Sequence, residues 1–187
     1  MAISTITGAS TGSTGTVITT GSSGQVIPKA ALPTGSVLQV VSTDYSTSQS
    51  FSVNASSAQT GCSVSITPTS STSKILIIGR LSLTGNASYV GGGATIYRNS
   101  TLISQGTAGG TFNTTSGYIN PQFLSGGDLH DCFTVPLTCL DSPATTSSIT
   151  YYLGVSGISG VGTVYINRSQ NGYTGFTSTI TCMEIAA

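Results

Sequence analysis

The chain has 187 residues, enough for one domain with an extension, yet only 5% are charged, against about 25% in ordinary soluble domains. Net charge is zero and Lys29, Lys74, Arg80, Arg98 and Arg168 are scattered singly, so neither nucleic acid nor a polybasic membrane contact has an electrostatic footprint. No apolar run approaches the ~20 residues of a membrane-spanning helix, and a 37% hydrophobic content is too high for a chain that stays unfolded.

Helix formers such as Glu, Lys and Gln are sparse, while Val, Ile, Thr and Tyr are plentiful, which predicts an all-β protein with polar, uncharged loops. Residues 1–34 read as an extended arm of Gly, Ser, Thr and small apolar residues, with Lys29 its one charge and Pro28 and Pro33 marking its end. Residues 35–187 read as the folded domain. The start, Met1-Ala2-Ile3-Ser4-Thr5, has neither the basic nor the apolar region of a signal peptide, so synthesis and first folding are expected in a cytosol.

Strands are predicted at Ser36–Val41 and at Gln49–Val53. Cys62, Val64 and Ile66 alternate with Ser63, Ser65 and Thr67, the period of two of a half-buried strand. Pro68 to Ser73 is a turn cluster. Lys74 to Leu83 is the most apolar stretch, and its length and β-branched content favour a buried central strand over a helix. Gly91-Gly92-Gly93 reads as a flexible loop before the strand Thr95–Arg98, a turn at Asn99-Ser100 and a strand at Thr101–Ser104. Gly106 to Gly127 is loop-like. Strands resume at Cys132–Leu140, Ile149–Val155, Thr163–Asn167 and Ser178–Ile185, the last with Ile180, Cys182 and Glu184 on one face. Eight to ten short strands without a repeat predict a β-sandwich or jelly roll. With two lysines in all to guard its sheet edges, such a protein is safest when neighbouring subunits cover them, which predicts an oligomer.

Reactive side chains are dense in one place, Asp128-Leu129-His130-Asp131-Cys132. There Asp128, His130 and Asp131 could hold a divalent metal, or His130 could serve as a base. No serine sits in a nucleophile elbow, however, and the segment is better read as a polar loop leading into the Cys132 strand. Paired carboxylates could come only from Asp44, Asp128, Asp131, Asp141 and Glu184, and the last two have simple structural roles. Gly91–Gly93 lacks the helix and the Lys-Ser/Thr of a phosphate cradle. Tyr89, Tyr97, Tyr118, Tyr151, Tyr152, Tyr165 and Tyr173 could line a sugar-binding surface, although most are expected in the core or between subunits. Asn-x-Ser/Thr at Asn54, Asn86, Asn99, Asn113 and Asn167 is what a Ser/Thr-rich chain produces unaided. Cys62, Cys132, Cys139 and Cys182 lack metal-ligand spacing and in a reducing cytosol read as buried free thiols, with one disulfide formed after release to an oxidising exterior as the alternative. The expectation is thus no catalytic, cofactor-binding or metal-binding residue, and no enzyme.

Four segments resemble stretches of bacteriophage virion surface proteins: Ser65–Ile77 (SITPTSSTSKILI), Thr95–Thr101, Leu140–Tyr151 (LDSPATTSSITY) and Ile180–Ile185. The likeness to these capsid-decoration and tail-fibre-like proteins of marine and freshwater phages runs from about Gly35 to the end, with the segments in the same order. It implies a jelly-roll domain, a homotrimer, and a place on the virion surface, and it supplies no catalytic residues to carry over. Two roles follow from it. A capsid decoration or cement protein would grip the major capsid protein through residues 1–34. A fibre tip would use the same arm to join a fibre base and bind a host glycan. A third reading, a free lectin-like module, would show itself by glycan binding of the isolated protein.

Overall fold

In the computed structural model the described residues are 32–53, 57–85, 91–107, 117–119, 132–159 and 162–187. Eleven strands run through them: β1 (Val37–Tyr45), β2 (Gln49–Val53), β3 (Ser57–Ile66), β4 (Lys74–Gly85), β5 (Gly91–Arg98), β6 (Thr101–Ile103), β7 (Gly117–Ile119), β8 (Phe133–Asp141), β9 (Ile149–Ser159), β10 (Gly162–Ile166) and β11 (Ser178–Ile185). All pairings between them are antiparallel.

The first sheet is simpler than its six strands suggest. β10 and β11 lie end to end along one edge of β4, pairing at Leu83–Gly85 and at Lys74–Arg80 respectively. β2 and β1 lie end to end beyond them. Four continuous lines result, in the order β1/β2, β11/β10, β4, β8. The second sheet has the order β3, β9, β5, and then β6 and β7 end to end on the far edge of β5. Two four-line antiparallel sheets with these crossovers are a jelly roll, the architecture expected.

Period-two alternation sets the core between the sheets. The first sheet turns Ile75, Ile77, Leu81, Leu83, Val135, Leu137, Val164, Ile166, Ile180 and Cys182 inward, and the second meets them with Cys62, Val64, Ile66, Ala94, Ile96, Ile149, Tyr151, Leu153 and Val155. Gly79 leaves room for Leu153 of the facing sheet: a Cβ at Gly79 would lie 3.0 Å from the Leu153 side chain. Tyr151 faces in and Tyr152 lies on the other side of its strand, half-buried.

One side chain holds the broken lines together. Asn167, fully buried at φ 57°, sits where β10 gives way to a loop before β11. Its Nδ2 donates to Tyr45 O (2.8 Å) and Thr47 O (3.2 Å), spanning the gap between β1 and β2, while its Oδ1 accepts from Ser178 Oγ (2.7 Å). Its backbone N–H donates to Ser82 O, and its carbonyl accepts from Phe176 N–H. A short amide side chain tolerates the left-handed region and can serve both interruptions at once.

Two loop readings are corrected. Gly91–Gly93 is not a loop but the start of β5, with Gly92 and Gly93 paired to β9 on one edge and to β7 on the other. The stretch 106–127 read as loop contains β7, which is only three residues long and so carries no periodic signal. The Asn99-Ser100 turn stands where predicted, with Asn99 left-handed at φ 52° between the paired Arg98 and Thr101.

Candidate interaction surfaces

Three features of the 34–187 unit bear on what it can do. The first is a buried carboxylate. Glu184 ends the inward face of β11 with no exposed surface, and it meets neutral donors rather than a cation. Gln39 Nε2 donates to its Oε2 (2.6 Å), and Thr69 donates to its Oε1 through both N–H and Oγ1 (2.7 Å each). Gln39 spends its other amide hydrogen on Thr67 O (2.7 Å). Burial pushes the Glu184 carboxyl up, but the hydrogen bonds from Thr69, Ser73 and Gln39 outweigh it and hold the group below its ordinary range. This ties β1, the β3–β4 loop and β11 to one point.

The second is a clamp between the sheets. Asp141, at the end of β8, accepts from Arg98 Nη1 on both oxygens (3.0 and 3.1 Å) and from Tyr151 Oη (2.7 Å). Arg98 and Tyr151 belong to the second sheet, so a charge pair and a phenol join the two layers. Burial, and then the bond to Asp141, push the Tyr151 phenol far up. Both Asp141 and Glu184 are therefore structural in position.

The third is the outer face of the first sheet. Outer faces of sandwiches are ordinarily polar. Here the register aligns Val40, Met183, Leu76 and Leu140 in one row across β1, β11, β4 and β8. Next to that row lie Ser42, Thr181, Ile78 and Thr138, and beyond them Asp44, Thr179, Arg80 and Pro136. On the other side Val37, Ile185 and Lys74 are aligned. Val37, Val40, Ile78 and Leu140 are 51%, 54%, 44% and 55% exposed, four of the five exposed large hydrophobics among the described residues. The expectation that Lys74–Leu83 is a buried central strand is thus met on its inward face, and on the outer face of this unit only at Ser82, 3% exposed.

The fifth is Tyr173, 84% exposed on the loop between β10 and β11. That loop is tightly self-bonded: Ser169 N–H donates to Thr174 O, Gly172 N–H to Ser169 O, and Ser169 Oγ to Asn171 Oδ1. The Arg168 guanidinium lies 4.3 Å from the Tyr165 ring centroid, a cation–π contact, and donates to Ser169 O and Gln170 O.

Asp128, His130 and Asp131 lie outside the described residues, as does Tyr89. Among the described residues no group of three or more His, Cys, Asp or Glu side chains is placed to share a metal ion. The four cysteines are free thiols. Cys62 and Cys182 are buried, and burial pushes each up to about 12; Cys132 is half-buried and pushed up to about 11. Such thiols are poor nucleophiles at neutral pH. Asn167 is enclosed in the core, so its Asn-x-Ser triplet cannot serve as a glycosylation site in the folded protein. Sequence reasoning missed the clamp, because Asp141 and Arg98 are 43 positions apart and only the sandwich brings them together. It also missed the exposed row, although four consecutive apolar residues at Ile75–Ile78 were the signal.

The residues after Pro33 thus form a jelly-roll unit. No family model matches the chain, and no curated protein matches its sequence. Among solved structures it is similar to VP2 of infectious bursal disease virus in its subviral particle, at 14% identity and a TM-score of 0.40, over 81% of this chain and 38% of that one. It is also similar to the structure of the Gx strain of that virus, at 15% identity and a TM-score of 0.37, over 92% of this chain and 42% of that one. The chain therefore spans about two fifths of the length of these viral proteins.

Proposed function

We propose that this chain is a non-enzymatic structural protein of a bacteriophage virion surface, a homotrimeric capsid decoration protein whose residues 1–34 grip the major capsid protein. The observation that carries the reading is the combination in one unit of a jelly roll, almost no charge, and an apolar outer sheet face. A freely soluble monomer would keep that face polar and its edges charged. The four segments that resemble phage surface proteins support the same reading, since they span the β3–β4, β5–β6 and β8–β9 connections and most of β11 in the sandwich.

Deletion of residues 2–30 tests it. The truncated protein keeps its trimer mass in native mass spectrometry but no longer binds purified tailless heads of the phage that encodes it, whereas the full chain does. A full-length trimer that ignores heads overturns the decoration role. Truncated protein that aggregates or runs as a monomer shows instead that the arm belongs to the fold. A second reading, a fibre tip that binds a host glycan, is favoured by Tyr173, an exposed ring on a stiff loop of the kind sugars stack against. Host-cell binding abolished by Tyr173→Ala would decide for it.

A further inference from the structure

We infer that the outer face of the first sheet is the contact between copies of this chain, with three such faces turned toward a common threefold axis. The inference rests on the trimer reading above and names the surface that makes it. The occupant of this face is a second copy for three reasons.

The first is pattern. An unbroken apolar run marks a strand buried on both faces. In β4, Ile75 and Ile77 are buried inward, while Ile78 is 44% exposed and Leu76 half-buried on the outer side. Those residues need a cover of the same apolar character, and this row of the chain's own surface supplies one.

The second is size. Four lines of strand about 4.8 Å apart make a face roughly 19 Å wide, and nine residues at about 3.3 Å each make it roughly 30 Å long. That is roughly 570 Å² in projection, of the order of the ~800 Å² per partner that a stable interface buries. Three faces of this width, closed as a triangular prism, stand roughly 5 Å from the axis, half the ~10 Å at which sheets pack face to face. Side chains the size of Leu, Met and Val fill such a space without leaving a channel.

The third is the placement of the rows. Val40 lies on β1 and Leu140 on β8, the two edges of the face, and both belong to the same apolar row. A cyclic arrangement with strands along the axis brings the β1 edge of one copy against the β8 edge of the next, so Val40 meets Leu140 and the row closes into an apolar layer. The row of Asp44 and Arg80 closes likewise, setting opposite charges in one layer.

The test uses the full-length protein. Native mass spectrometry and sedimentation give three chain masses for the natural protein. Leu140→Lys and Val40→Lys each give one chain mass, with the far-ultraviolet β spectrum unchanged. Because a charged variant could fail to fold, a second measurement adds cysteines. Val40→Cys combined with Leu140→Cys, oxidised under mild conditions, gives a covalent three-chain species on a denaturing gel, and neither single variant does. A covalent species that stops at two chains overturns the threefold arrangement. A natural protein that is trimeric and remains so in both lysine variants overturns the assignment of this face while leaving the trimer standing. A natural protein that is monomeric overturns the trimer reading itself, and this inference with it.

Discussion

Replacing Glu184 with Gln isolates what a buried, cation-free carboxylate contributes to this sandwich. The natural side chain accepts from Gln39 Nε2, twice from Thr69 and from the Ser73 side chain, and Gln39 has no spare hydrogen because the other is spent on Thr67 O. A Gln side chain at position 184 offers one oxygen and one NH₂. Whichever way it is turned, its NH₂ faces a donor, either Gln39 Nε2 or the Thr69 N–H. One charge-assisted bond is lost, worth about 1.5–3 kcal/mol, and the others weaken to neutral strength, offset in part because no charge is buried any longer. A net loss of about 2 kcal/mol at pH 7 is expected. The pH dependence has a definite sign. The folded-state carboxyl is held below its ordinary range, so its contribution is full above the unfolded value of about 4.3 and drains away as pH falls through the folded value. The assay is urea unfolding at fixed protein concentration, at pH 7 and pH 3, because the stability of the proposed trimer would depend on concentration. The natural protein loses more stability over that interval than Glu184→Gln does. Equal midpoints at pH 7, or equal losses on acidification, would refute the reasoning.

Other substitutions probe the packing. Gly154→Ala places a methyl 2.5 Å from Tyr97 Cε2 and 2.7 Å from the backbone oxygen of Ala58, which cannot yield as a side chain could, so a loss of about 3 kcal/mol or more is expected in thermal unfolding. Asn167→Ala removes three side-chain hydrogen bonds of about 1 kcal/mol each and leaves Tyr45 O and Thr47 O without that donor, a loss of about 3 kcal/mol by the same measurement. Ile77→Asp puts an unpaired charge into a site with no exposure and abolishes folding, read as loss of soluble protein. At pH 8, Ellman's reagent leaves Cys62 and Cys182 unmodified in the native protein and reaches all four thiols only in denaturant, since burial holds both well above that pH.

Much of the sandwich was legible because its signal is local. Cys62, Val64 and Ile66 alternate within β3, and Ile180, Cys182 and Glu184 within β11, as period two requires of a sheet with one face in the core. Gly91–Gly93 misled, because glycine carries no side chain whose alternation could report a strand, and what fixes those residues is pairing to β9 and β7 from both edges. The end-to-end division of the first sheet's lines was also hidden. It depends on Asn167 reaching residues more than a hundred positions away, and no window along the chain contains both ends of that contact.

The candidate surface was legible in a different way, through a contradiction. The run Ile75-Leu76-Ile77-Ile78 demands two apolar environments, and the unit of residues 34–187 supplies one. Sparse charge makes the same demand at the level of the whole chain. Charged side chains keep a monomer's sheet edges and faces from pairing with others, and a chain with five acidic and five basic residues has given that protection up. Such a sequence is disfavoured wherever the protein must remain alone at high concentration. It costs nothing where the exposed row is covered as soon as copies meet. The low charge and the apolar outer row are thus accounted for together by the proposed contact between copies.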